Sequence, residues 1–240
     1  GFQIEIYDQT DHARGIEKAL RSLDFEDLSV GEGEIAVKVE PVPKPFDFSL
    51  PIVIELRDQE AAQIAREAGE TGRIQTLGLP PDLSGSVTVR AQSDRASPYA
   101  LRTPQALCFA GDVCGAIAAA RRRWEGATAD LSWLSPSWRP IYEGAIEWLR
   151  AAFAEMKTMD DEALRSDTWA IRTLDYALDF AAAAEAHRNL FVERPAGAFP
   201  VAFEGTDSKG KTHQGVYHLS LPEGYGREPD RRYPLVVELH

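Results

Sequence analysis

The sequence predicts a mixed fold, α+β or α/β: a small N-terminal α/β module, a central helical section and a set of closing strands. Three observations predict it. Short runs of alternating apolar residues occupy the first hundred positions, all five tryptophans fall in a helically periodic middle, and period-two alternation returns after Gly197. The expected divisions are 1–100 for the module, 101–192 for the helical section and 193–240 for the closing strands. With 240 residues and 44% hydrophobic content, the chain has material for a sizeable core in one large domain or two small ones.

In the module, Phe2, Ile4 and Ile6 alternate, and a helix is expected from about Asp11 to Leu23, with Thr10 or Asp11 as its cap. Ile35, Val37 and Val39 then alternate as a strand. The segment Pro41-Val42-Pro43-Lys44-Pro45 is too proline-dense for regular structure and reads as an extended connector. Beyond it, Ile52–Leu56 predicts a strand, Asp58–Ala68 a helix ending at Gly69, and Ser86–Ala91 another strand.

From about Thr103 to Val192 the expectation is helical. Ile141, Ala145, Trp148, Leu149, Ala152 and Met156 recur at three- and four-residue steps, which predicts one buried face on a helix from Pro140 to Met156. Pro140 suits its first turn. A longer helix is expected from Asp167 to Leu190, its stripe running through Ala170, Leu174, Ala177, Leu178, Ala181 and Ala184, with Ser166 or Asp167 as cap. Glu193-Arg194-Pro195-Ala196-Gly197 breaks the periodicity, and strands follow at Pro200–Glu204, Val216–Leu221 and Leu235–Val237.

The net charge of −12 argues against a nucleic-acid partner, whose binding is driven by clustered Lys and Arg. The one basic run, Arg121-Arg122-Arg123, reads as a solvated helix face. No apolar stretch reaches the ~20 residues of a membrane span. Cys108 and Cys114 lack the second pair that a zinc site of usual spacing needs and read as buried thiols. Gly1 stands where a methionine would open a gene product, so both ends read as cut from a longer chain and a signal peptide cannot be judged.

Several motifs invite chemistry. Gly205-Thr206-Asp207-Ser208-Lys209-Gly210-Lys211-Thr212 fits the P-loop expression, but a phosphate loop needs a helix after its lysine, and strand-like alternation follows here. A hairpin loop is the better reading, with nucleotide binding as a remote alternative. His213 and His218, five apart on a strand, face opposite ways and make a poor metal pair, and His12 and His187 stand alone on helices. Asp175 and Asp179 share one helix side and read as solvated charge rather than a cation site. The tryptophans read as core before they read as a ligand groove. Gly111-Asp112-Val113-Cys114-Gly115 has valine where a nucleophile elbow needs its nucleophile, so it is not one.

Three further words occur in order: Arg172-Thr173-Leu174-Asp175-Tyr176-Ala177-Leu178 on a helix, Gly215–Tyr225 as a strand closed by Pro222-Glu223-Gly224-Tyr225, and Arg231–His240 around the run Tyr233-Pro234-Leu235-Val236-Val237. This order, over about Trp169 to His240, resembles the segment that precedes the catalytic core in prolyl-oligopeptidase-like and feruloyl-esterase-like α/β-hydrolases. The resemblance implies that the closing strands begin a hydrolase sheet, with His240 at the first position of the oxyanion loop, just before backbone N–H groups that stabilise the tetrahedral intermediate. It further implies that serine, acid and catalytic histidine lie downstream, that an ester or peptide substrate is engaged through that missing part, and that the fragment alone is inactive. No cofactor or metal is implied. Residues before Trp169 carry no such resemblance and read as a lid, an accessory module or a packing partner. The alternative from another class is a non-catalytic binding or interaction module.

Overall fold

The computed structural model describes residues 9–31, 33–46, 48–94, 101, 104–193 and 199–219. The fold is α+β, with antiparallel sheets throughout the described residues. In chain order the elements begin with α1 (Gln9–Arg21), β1 (Phe25–Val30), β2 (Glu34–Val39), β3 (Pro51–Arg57), β4 (Gln63–Glu70), β5 (Ile74–Gly78), β6 (Gly85–Ser93) and β7 (Gln105–Ala110). They continue with α2 (Val113–Ala127), α3 (Arg139–Met156), α4 (Asp161–Ser166), α5 (Thr168–Glu185), α6 (Leu190–Glu193), β8 (Phe199–Thr206) and β9 (Thr212–Leu219). The chain forms two units: one holds the residues through Ala118 together with Met156–Asp175, the other Ala119–Glu155 and the residues from Tyr176 on.

The first unit is built on seven strands in two sheets, ordered β1-β2-β5 and β4-β3-β6-β7. Period-two alternation puts Ile35, Val37 and Val39 of β2 on the same interior as Ile52, Ile54 and Leu56 of β3 and Val87, Val89 and Ala91 of β6. Helix α1 adds Ile16 and Leu20 to that interior. Each Val, Leu and Ile among these contributes roughly 1.5–3 kcal/mol by leaving water. β4 runs into β5 at one seam of the two sheets, and β1 meets β7 at the other, where α4 packs on both.

The opposite face of β3 is also covered, which is why its sequence runs apolar without alternation. Val53 is buried there, and so is Glu55, whose Oε2 accepts from Arg57 at 2.8 Å and whose Oε1 accepts from Gln92 at 2.8 Å. A buried carboxylate is tolerated only with such partners. Asp175 on α5 accepts from Ser86 Oγ of β6 at 2.8 Å, tying helix to sheet.

Several expectations need correction. The strand expected at Phe2–Ile6 and the one at Leu235–Val237 lie outside the described residues, as does most of the break at 193–197. Helix α1 begins at Gln9, so Thr10 and Asp11 fall inside it rather than before it. The helix expected over Asp58–Ala68 is instead a turn and the strand β4. Asp58 closes the turn: its Oδ1 accepts from the Ala62 N–H at 2.8 Å and its own N–H donates to the Ala62 carbonyl at 3.0 Å, while Ala61 takes a positive φ of 64°. Pairing with β3 then outweighs the helix propensity of the Ala- and Glu-rich stretch. β1, β5 and β7 were not anticipated, and β7 lies in a stretch expected to be helical.

In the second unit, α3 follows expectation, with Pro140 in its first turn and Ala145, Leu149 and Ala152 buried. Asp167, which belongs to the first unit, caps α5, its Oδ1 accepting from the Ala170 N–H at 2.7 Å. That helix stops at Glu185, short of Leu190, because His187 turns left-handed with φ 53°. The Arg188 N–H then reaches the Ala183 carbonyl at 2.8 Å and the His187 N–H reaches Ala184 at 3.0 Å, a Schellman closure with histidine in the usual place of glycine. Tyr142 organises the connector: its hydroxyl accepts from the Leu190 N–H at 3.0 Å and donates to the Arg188 carbonyl at 3.3 Å. Its ring lies 4.9 Å from that of Phe180 and 5.3 Å from that of Phe191.

β8 and β9 form a hairpin in unbroken register from Phe199↔Leu219 to Thr206↔Thr212. Helix α3 meets it at Gly144, where an added Cβ would stand 2.4 Å from the Ala202 carbonyl oxygen and 2.6 Å from Val201 Cγ1. In an open helix Gly→Ala gains about 1 kcal/mol. Here the sign reverses: Gly144→Ala is expected to lose about 1–3 kcal/mol in urea denaturation. A gain in stability would contradict the packing of α3 on β8.

Candidate functional site

A cleft in the described residues lies at the seam where α4 closes against β1. Its roof is α4, a single short helix that the sequence specifies at both ends. Asp160 caps it, Oδ1 accepting from the Ala163 N–H at 2.8 Å, and Asp167 ends it by donating its N–H to the Ala163 carbonyl at 2.8 Å. Asp167 thus closes one helix and opens the next. Leu164 and Arg165 are the buried residues of this turn.

The cleft is about 400 Å³ in volume. Its floor is the end of β1 and the turn after it, Ser29, Val30 and Gly31, with Ala36 of β2 beside them. Three carboxylates, Glu34, Asp161 and Glu162, line its exposed lip. Arg165 is the single cation lining it. That arginine is only 8% exposed, and its Nη1 has no hydrogen-bond partner. A buried donor left unsatisfied costs about 1–3 kcal/mol, and more when the group is charged.

Cys114 stands next to this site, in the first turn of α2. Gly111, with φ 87°, turns the chain out of β7, and Asp112 caps the helix by accepting from the Gly115 N–H at 2.8 Å. The Cys114 thiol donates to Asp161 Oδ1 at 3.1 Å. That hydrogen bond raises the thiol's pKa, helped by slight desolvation and by the negative charges of Asp161 and Asp112, while Arg165 pulls the other way. Cys114 is therefore less ionised at a given pH than a free thiol. Burial alone pushes Cys108 up to about 12. Both cysteines are free, and only Cys108 is buried, so the expectation of two buried thiols holds for one.

The residues singled out from the sequence are not brought together. His240 lies outside the described residues. The Gly205–Thr212 stretch is a hairpin turn: Asp207 accepts from the Lys209 and Lys211 N–H groups at 2.8 and 2.9 Å, and the chain enters β9, not a helix. His213 is engaged with Asp207 Oδ2 at 3.0 Å, a contact that lowers the Asp207 pKa, and stands on the face of β9 opposite to His218. His187 lies past the end of α5, stacked on Trp133 at 5.6 Å, rather than on the helix. The helix position of His12 falls in α1.

Asp175 and Asp179 are half-buried rather than solvated, and Asp175 also accepts from Gln59 Nε2 at 3.3 Å. Arg122 and Arg123 are exposed and Arg121 half-buried; Arg121 pairs with Glu125 and Arg123 with Glu185, each at 2.8 Å. Trp124 is wholly buried, 6.1 Å from Phe153, whereas Trp169 is 37% exposed and departs from the core reading. Burial raises the Tyr176 hydroxyl pKa well above the ordinary phenol range, so it stays neutral. Among the described residues no group of three or more His, Cys, Asp or Glu side chains is placed to hold a metal, and no helix is long and apolar enough to cross a membrane.

Arg165 was missed from the sequence, where Asp-Glu-Ala-Leu-Arg-Ser reads as an ordinary solvated helical turn. No protein-family model matches the chain, and no curated protein matches it.

Thiol titration checks the electrostatics of the site. One cysteine, Cys114, is expected to react with a disulfide reagent in the folded protein, and Cys108 only after denaturation. Asp161→Ala removes the hydrogen-bond acceptor and the charge that raise the Cys114 pKa, so the thiolate fraction near about pH 8 increases and alkylation accelerates several-fold. An unchanged or slower rate would contradict the Cys114–Asp161 contact.

Proposed function

We propose that this chain is an N-terminal accessory region together with the opening strands of the catalytic domain of a serine hydrolase, an esterase or peptidase, and that it carries no catalytic triad of its own. The observation that carries the reading is the order of its closing words: a strand ending in Pro222-Glu223-Gly224-Tyr225, then Tyr233-Pro234-Leu235-Val236-Val237 and His240. Two features of the described residues support it. β8 and β9 form the antiparallel hairpin that would precede such a strand, and they leave Phe203, Val216 and Tyr217 at 47%, 50% and 39% exposure. That is apolar surface of the kind a larger sheet covers. His240 is then the start of the oxyanion loop, and substrate is handled by residues that follow it.

One observation favours a second reading, a non-catalytic binding module: the residues lining the cleft at Arg165 all belong to the strand-built unit.

A fluorophosphonate probe separates the two. The natural gene product that contains this chain is expected to label at a serine in a Gly-x-Ser-x-Gly sequence downstream of His240, while the 240-residue chain stays unlabelled. Serine-dependent ester turnover by the 240-residue chain, or an unreactive natural product, contradicts the hydrolase proposal.

A further inference from the structure

We propose that the free edge of β9 is an assembly edge, on which a second copy of this chain lays its own β9 antiparallel, so that two hairpins join into one sheet. The proposal rests on β9 alone and not on the hydrolase reading, which the serine probe decides separately.

Among the described residues β9 pairs with β8 alone. β8 is anchored: Phe199 and Val201 are buried, and α3 packs on it so closely that Gly144 has no room for a Cβ beside Val201 and Ala202. β9 is exposed along most of its length, with Val216 on one face and Tyr217 on the other. A two-stranded ribbon with one strand in water is marginal, and a further strand stabilises it. The edge strands of the first unit are protected: β1 carries Glu26 and Asp27, β4 carries Arg66 and Glu67, β5 lies against β4, and α4 is set on β7. β9 has no Asp, Glu, Lys, Arg or Pro among its eight residues, and its register with β8 holds no bulge. The occupant that fits this edge is the strand itself. With a net charge of −12, two copies repel over most of their surface, and an uncharged strand is where they can meet. An antiparallel pair centred on Val216 sets Val216 against its counterpart, Gln214 opposite His218 and Tyr217 opposite Gly215, so no like charges are opposed. Gly215 has no side chain to obstruct the incoming ring. Phe203 already lies across Gly215, 6.1 Å from Tyr217, so the Phe203 and Tyr217 rings of both copies form one aromatic cluster.

Sedimentation velocity of the 240-residue chain tests this. A dimer with a Kd on the order of 10 µM or tighter is expected. Val216→Lys opposes two ammonium groups at the centre of the pair and is expected to weaken the dimer about tenfold or more. Ala68→Lys, at an exposed position of β4, is expected to leave it unchanged. Cross-linking reads the register: in a Cys114→Ser background, oxidation by diamide is expected to join two copies of Val216→Cys through a disulfide, because the two-fold axis brings position 216 within bonding reach of its counterpart. Tyr217→Cys is expected not to cross-link.

A chain that stays monomeric at about 100 µM overturns the proposal. A dimer that Val216→Lys leaves intact does so too, as does a dimer in which Val216→Cys forms no cross-link. Should Val216→Lys fail to fold, the cross-link decides alone.

Discussion

Seven strands of the first unit share one apolar interior, and every other feature of that unit depends on this arrangement. Two small sheets, of three and four strands, would each leave a face in water; facing each other across Ile35, Val37, Ile52, Ile54, Leu56, Val87 and Val89, they supply each other's cover. The two places where the sheets meet differ in kind. At one, β4 and β5 follow each other in the chain; at the other, β1 and β7 are distant in sequence, and α4 is set on both. The cleft exists because a short helix sits at that second seam. Its Asp160 and Asp167 caps fix where Arg165 falls.

The charge chemistry of the unit follows from the same burial. Glu55, drawn inside by its place in β3, is satisfied by Arg57 and Gln92. Arg165 is drawn inside in the same way, but the carboxylates nearest its cleft stay at the exposed lip. In the second unit, by contrast, the Tyr142 hydroxyl is fully engaged and its ring packs against Phe180 and Phe191.

How much of this was legible depends on whether local pattern and tertiary pairing agree. β2, β3, β6, β8, β9 and α3 could be read, because their alternation or helical spacing matches the face they bury. The Asp167 cap was readable for the same reason. β4 was not: Gln-Ile-Ala-Arg-Glu-Ala carries helix formers, and only the Asp58 turn and the neighbouring edge of β3 make it a strand. β1, with Glu26 and Asp27 in its middle, and the five-residue β5 are too polar or too short to announce themselves. The end of α5 was placed late because a histidine, not a glycine, takes the left-handed turn. Arg165 was invisible, since α4 is buried by packing on β1 and β7, which no local spacing encodes.

The central claim is that the N-terminal half of the chain is an antiparallel strand unit with a common interior and no helix between β3 and β5. Nuclear Overhauser contacts over residues 58–70 test it most directly. The account predicts cross-strand contacts that follow the observed register, Ile54 with Glu67 and Val53 with Ala68. Contacts between residues three apart along 58–68, the mark of a helix there, would contradict it.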